Sequence, residues 1–259
     1  MASIDLNCDF GEHDHMADID RRLAGIVTSA NIACGGHAGD RGSMERTIRL
    51  CSEMGVTVGA HPSYPDREHF GRRAIVMNAE ELENALVAQL SEFALAARAV
   101  GVPVRHVKPH GALYHAAMTD EQVGRVVWQS VRRVFPACAL VGLAGSAMLE
   151  HWRHWGIESV IAEAFAERAY EPDGTLRSRS LPGALIEDPV EAGRQAVEIA
   201  ARARARATSG DWIAVRAQSI CVHGDSTNAV ETARAVRTSL ESAGIAVKAV
   251  KAVDQRRPC

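Results

Sequence analysis

Four times along this chain a helix-like segment runs into a glycine, and a β-branched residue follows at once. The stretches are "MGVTV" at Gly55, "VGVPV" at Gly101, "WGIES" at Gly156 and "AGIAV" at Gly244. Glycine just past a helix end takes the left-handed capping conformation without steric penalty. A branched side chain then favours the extended backbone that begins a strand. Punctuation that always leaves a helix for a strand constrains the chain to repeated βα units. The helices themselves are well marked. Asn78, with Glu81 three residues on, forms a capping box, and Leu82, Leu86, Leu90, Phe93 and Val100 follow at helical spacing. Asp188-Pro189 supplies a cap and a first-turn proline for another helix. Val230, Ala233, Val236 and Leu240 share one face of the last.

Short apolar strands lie between these helices, at about 3–8, 26–33, 56–60, 104–108, 139–143, 158–163 and 219–222, with an eighth through 245–250. Strands alternating with helices form a parallel sheet, and seven or eight of them close into a TIM-like (β/α) barrel of the α/β class. No low-complexity linker interrupts the chain, so residues 1–259 read as one barrel domain. Segments 175–189 and 207–212 read as long connections within it, and "RARARA" (202–207) as the solvated face of a helix.

Composition mainly excludes. A formal charge of −3 and 5% aromatic residues offer neither an electrostatic footprint nor a stacking surface for nucleic acid. No apolar run reaches the ~18 residues that a membrane span needs. The first residues, "MASIDLNCDFGE", enter a strand pattern without the basic and apolar regions of a leader. Six cysteines without CxxC pairs suit reduced thiols, so a cytoplasmic protein is expected. Cys8, Cys34 and Cys221 read as small core residues and not as metal ligands. No G-K-[ST], G-x-G-x-x-G or G-x-S-x-G motif occurs, which leaves no nucleotide loop or serine-hydrolase elbow. "GGHAG" and "GLAGS" are turns whose amides could face an anion.

The polar chemistry gathers where strands end. Strand one ends "NCDFGE", with Asn7, Asp9 and Glu12; strand two ends "SANIACGGHAGD", with Asn31, His37 and Asp40. His61 closes the third, and "FGRR" with Arg72 follows it. The fourth ends "HVKPHGALYH", with Lys108 and His110; Glu163 closes the sixth, and His223 and Asp225 the seventh. In a parallel barrel these ends share one face, and that face carries the active site. Lys108 stands out further, because among 29 basic residues only positions 108, 248 and 251 are lysine. A lysine is a compact charge whose pKa responds to burial, whereas arginine stays charged.

"IDLNCDFGE", "SANIACGGHAGD", "GAHPSYPD", "FGRR", "HVKPHGALYH", "EAFAERAY", "RSLPGALI" and "ICVHGD" together resemble, in order, the motifs of the LamB/YcsF family. The match departs within 13–25 and at Phe10, Ser63, His115 and Glu167, none of which removes a strand-end ionisable group. The resemblance implies a barrel of the glycoside hydrolase/deacetylase type. It also implies ATP-dependent opening of 5-oxo-L-proline to L-glutamate, a 5-oxoprolinase activity exerted with partner subunits B and C. A five-membered lactam is an unstrained amide, so its hydrolysis needs an activated carbonyl, a base for water, a cation for developing charge and a proton for the leaving nitrogen. Lys108 is then expected as the cation, at the barrel's mouth and outside its packed interior. His61 or Asp9 would serve as base, and His37 or His110 as acid. Asn7, Glu12, Asn31, His37, Asp40, Arg72, Glu163, His223 and Asp225 would surround the substrate, with no metal required. Two alternatives stay open: a metal-dependent deacetylase or amidohydrolase using Asp9, His37 and His61, and a non-catalytic subunit that only binds 5-oxoproline.

Overall fold

The computed structural model describes residues 2–12, 17–157, 159–224 and 228–250. In chain order the strands are β1 (Ser3–Phe10), β2 (Ser29–Ala33), β3 (Thr57–His61), β4 (His106–Val107), β5 (Ala139–Leu143), β6 (Val160–Phe165), β7 (Arg204–Arg206), β8 (Trp212–Ala214), β9 (Ser219–Val222) and β10 (Ala246–Val247). The helices are α1 (Ala17–Ala24), α2 (Arg41–Glu53), α3 (Ala79–Val100), α4 (Gly111–Thr119), α5 (Glu121–Val134), α6 (Ala147–His154), α7 (Pro189–Arg202) and α8 (Ala229–Ser242). Among the described residues β1 through β6 and β9 pair in parallel and close through β9 back onto β1. β10 pairs only with the start of β1, Ser3 opposite Ala246. Seven strands therefore close the barrel, and the eighth extends one end of β1.

β1 shows why the interior is polar. Its alternation places Leu6, Cys8 and Phe10 in the apolar core, all at 0% exposure. Asp5, Asn7 and Asp9 point the other way, into the barrel. There Asp5 accepts from Ser29 Oγ (2.5 Å) and from Ser219 Oγ, while Asn7 donates to Glu163 (2.9 Å). Burial pushes the Asp5 carboxyl above its usual range, and those hydroxyls pull it partly back. Gly59 makes room for this layer: a Cβ there would lie 2.1 Å from the ring of His106, which bonds Asn31 at 2.8 Å.

The expected helix signals are in place. Asn78 and Glu81 form the reciprocal capping box of α3, and Asp188 caps α7 with Pro189 in its first turn. Gly101 ends α3 at φ 76°, with open space where a Cβ would stand, so its role is conformational. "RARARA" departs from expectation. α7 stops at Arg202, Ala203 takes φ 51°, and 204–206 pairs with β8 as an antiparallel hairpin. Its period is two: Ala205 is buried, while Arg204 and Arg206 lie over the Trp212 ring at 3.9 and 5.1 Å. The alternation and the aromatic partner prevailed over alanine's helix preference.

Candidate active site

The C-terminal ends of β1, β3, β4 and β6 bring Asp9, His61, Lys108 and Glu163 together at one end of the barrel. Lys108 Nζ lies 2.9 Å from Glu163 Oε1, 3.3 Å from Asp9 Oδ1, 3.1 Å from Cys221 Sγ and 3.4 Å from Asn7 Oδ1. It is only 3% exposed. The expectation of a lysine outside the packed interior is thus corrected: its three protons are already directed at neighbours inside the barrel. Burial alone would lower its pKa, but the Asp9 and Glu163 carboxylates outweigh that and hold the ammonium well above its usual range. Asp9 responds in kind. Burial pushes its carboxyl up, and His61 and Lys108 overcome this to keep it well below the carboxylate norm. Asn31 completes the frame, donating to Asp9 Oδ1 at 2.9 Å and to Asn7 at 2.8 Å.

Beside this ion group stand three histidines. His61 Nδ1 donates to the Lys108 carbonyl (2.7 Å), and His110 Nε2 to the Phe70 carbonyl (2.9 Å). Phe70 sits at φ 55°, a strained conformation for a bulky residue, which aims that carbonyl at His110. A carbonyl only accepts, so His61 Nδ1 and His110 Nε2 each carry a proton, and the facing His61 Nε2 and His110 Nδ1, 3.0 Å apart, have room for one shared proton between them. Asp9 Oδ2 lies 3.4 Å from His61, and Glu12 Oε1 lies 3.4 Å from His110. His37 stacks flat on His110 with ring centroids 3.7 Å apart, and its Nε2 bonds Glu12 at 3.1 Å. Burial, then the neighbouring histidines, hold both His37 and His110 well below the usual imidazole range, so both are neutral at neutral pH.

Four electron-pair donors of Asp9, Glu12, His61 and His110 thus converge within 4.8 Å of one another. They fit a divalent ion: ligand bonds of about 2.0–2.2 Å put adjacent ligand atoms roughly 3.0–3.5 Å apart, and the far nitrogens are anchored on carbonyls as metal-binding imidazoles usually are. A water or one added proton satisfies the same lone pairs. Asp9, Cys221 and His223 form a second possible set. It is poorer, because Lys108 already faces the sulfur at 3.1 Å and His223 is tied to Glu167 at 2.5 Å.

A cavity of about 440 Å³ opens over this layer, lined among others by Asp9, His61, Arg72, Lys108, His110, Tyr114, Phe165, Arg168, Arg179 and His223. Arg72 and His223 are therefore where the sequence placed them. Asn7, Asn31, His37, Glu12 and Glu163 stand behind the lining and orient it. Asp40 does not join them: it is the exposed cap of α2, accepting from the Ser43 amide at 2.8 Å in a capping box. A strand-end aspartate three residues before a serine fits a helix cap equally well. Asp225 lies outside the described residues. Sequence reasoning missed Tyr114, Arg168 and Arg179, although each falls inside or beside a quoted motif. Tyr114 Oη and Glu163 Oε2 are both buried and fall outside strict hydrogen-bond geometry, but the two side chains interact with each other. Burial and the Glu163 charge push the Tyr114 phenol well up, so it remains a donor. These arginines and this tyrosine escaped because nothing along the chain separates them from surface residues.

The model of the LamB/YcsF family matches residues 4–255. The 5-oxoprolinase A subunit of Chloroflexus aggregans is 49% identical over 250 residues, spanning 96% of this chain and 99% of its own. One of the A subunits of Agrobacterium fabrum is 45% identical over 251 residues, spanning 96% and 98%. The crystal structure of a lactam utilization protein from Thermus thermophilus superposes with a TM-score of 0.88 at 41% identity, covering 96% of this chain and all of that one. A family 4 carbohydrate esterase from Streptomyces lividans, at TM-score 0.51 and 11% identity over 96% of this chain and 93% of its own, shares the fold alone.

Proposed function

This chain belongs to the LamB/YcsF family, and on that premise we propose that it opens the lactam ring of 5-oxo-L-proline to L-glutamate as the A subunit of an ATP-using 5-oxoprolinase, with subunits B and C. The observation that carries this reading is the buried Asp9–Lys108–Glu163 group set against the facing ring nitrogens of His61 and His110 on the wall of one cavity. The first element keeps Asp9 ionised; the second accepts a proton. In this reading amide activation comes from ATP, which transfers its terminal phosphoryl group to the lactam oxygen, a step we place on a partner subunit. Water held at His61 Nε2 adds to the activated carbon and gives up its proton to the histidine. The ring C–N bond breaks, its electron pair goes to nitrogen, and nitrogen takes a proton back from the histidine pair. The product is a glutamyl phosphate anhydride, which a second water cleaves to glutamate and phosphate. The Tyr114 hydroxyl, a buried donor beside Glu163 on the cavity wall, would bond the oxygen that bears developing charge.

Glutamate formation from 5-oxo-L-proline and ATP, measured with and without the partner subunits, tests this division of labour. Turnover is expected only in the assembled enzyme, and robust turnover by the isolated chain would refute it. The converging lone pairs favour one second reading, a metal-assisted amidohydrolase in which Asp9, Glu12, His61 and His110 hold the ion and the ion lowers the pKa of a bound water. Stripping this chain with a chelator before assembly, with magnesium and ATP restored for the assay, separates the two.

A further inference from the structure

Arg168 is a buried cation to which no carboxylate is bonded among the described residues. It follows β6, is 2% exposed and lines the cavity. One of its terminal nitrogens donates to the Arg177 carbonyl at 2.6 Å, and its Nε has no partner. The surrounding carboxylates are engaged elsewhere: Glu167 with His223 at 2.5 Å, Glu171 with Arg177 at 2.8 Å and Glu163 with Lys108 at 2.9 Å. Among the described residues no carboxylate pairs with Arg168. The cavity wall beside it instead adds a like charge, Arg179, and the hydroxyls of Ser178 and Ser180. Burial, followed by Arg179, brings the Arg168 pKa down to about 10, which leaves it cationic at neutral pH.

Taking a lone guanidinium out of water is costly, and a single hydrogen bond to a neutral carbonyl offsets only part of that cost. A residue needed only to prop the 175–185 segment would not have to be ionic. The missing partner is an anion entering from the cavity, and the flat fork of arginine matches the two oxygens of a carboxylate. We propose that Arg168, with Arg179 beside it, receives the carboxylate of the substrate, so that this site selects lactams bearing an anion next to the ring nitrogen over uncharged lactams. The inference rests on the lactam reading above. Leu176, Ala112 and Phe165, also in the lining, supply apolar contact for the ring methylenes.

Calorimetric titration of the whole chain with 5-oxo-L-proline and with 2-pyrrolidinone, the same ring without its carboxylate, tests the assignment. The wild type is expected to prefer the carboxylated ring by roughly 100-fold or more, the penalty for leaving a buried polar group unpaired. In Arg168→Met the two lactams should bind within about threefold of each other, and the thermal midpoint should stay level or rise, because an uncompensated buried charge has gone. Arg168→Lys keeps the charge but not the fork. It should weaken 5-oxo-L-proline about tenfold and leave 2-pyrrolidinone unchanged, so it carries the test should the methionine variant fold poorly. A preference that survives in both variants overturns the carboxylate site while leaving the lactam reading intact. A wild type that ignores both lactams but takes up inorganic phosphate through Arg168 overturns the lactam reading and the carboxylate assignment with it. A wild type that binds none of the three overturns both as well.

Discussion

Lys108→Met keeps most of the side-chain volume and deletes the charge, and the buried ion group makes its consequence calculable. At an effective dielectric of 20 the ammonium gains about 6 kcal/mol from Glu163 at 2.9 Å and about 5 kcal/mol from Asp9 at 3.3 Å. Each of the three ions loses several kcal/mol of hydration on burial, so the intact group sits near balance. Without the ammonium, two carboxylates remain buried and facing each other. The variant should lose about 3–5 kcal/mol of stability, which in a chain of this size lowers the melting midpoint by roughly 6–20 °C. In the assembled enzyme its turnover should fall by roughly 10²–10³, since the acidic pole loses its preorganised ionic state. Lys108→Arg keeps the charge but overfills the site, at about 1–3 kcal/mol, with a comparable loss of turnover. The decisive measurement is a denaturation cycle with Lys108→Met, Glu163→Gln and the double variant. Glu163→Gln removes one stranded charge, so the double variant should be more stable than the sum of the single changes by about 1–3 kcal/mol, while activity stays low. Additive costs, or a Lys108→Met protein within about 1 kcal/mol of wild type, would refute the reasoning.

Asp40→Ala should cost about 1 kcal/mol through loss of the α2 cap and leave turnover unchanged; a large loss of activity would return Asp40 to the site. Asp20, which accepts from the Gly11 amide at 3.0 Å, has its pKa raised by burial from 3.8 to about 7. The native state therefore holds a proton that the unfolded chain releases, and this contribution is full below about pH 4 and lost as pH rises to about 7. Asp20→Asn mimics the protonated form, so its stability should match wild type near pH 4 and exceed it at pH 8 by at most about 4 kcal/mol; equal stabilities at pH 8 would contradict this. Stripping the chain with a chelator before assembly, then assaying with magnesium and ATP restored, should leave glutamate formation intact. Loss of activity recovered by equimolar zinc would favour the metal-assisted reading.

Much of this molecule is legible along the chain because the deciding physics is local. The capping box at Asn78, the cap-proline pair at Asp188 and the helix-ending glycines each act within a few residues, and the structure keeps them all. So does the alternation of β1, which sends Asp5, Asn7 and Asp9 to one side. Locality also explains the misreadings. Asp40 satisfies a cap and a strand-end site equally well by sequence, and "RARARA" suits a helix until Trp212 stands opposite.

Sequence alone therefore determined the βα order, the barrel class and the face that gathers the ionisable groups, because a strand's end and a helix's start are neighbours in the chain. Tertiary structure alone decided which charges meet. Lys108 reaches Glu163 and Asp9 across 55 and 99 residues of chain, as their numbering shows. His61 Nε2 and His110 Nδ1 face each other only because the Lys108 and Phe70 carbonyls hold the opposite nitrogens of the two rings. Among the described residues Arg168 is left without a bonded carboxylate because the nearby carboxylates have other partners. Pairing between charges depends on distance in space and on removal from water, and neither quantity is written in the order of the residues.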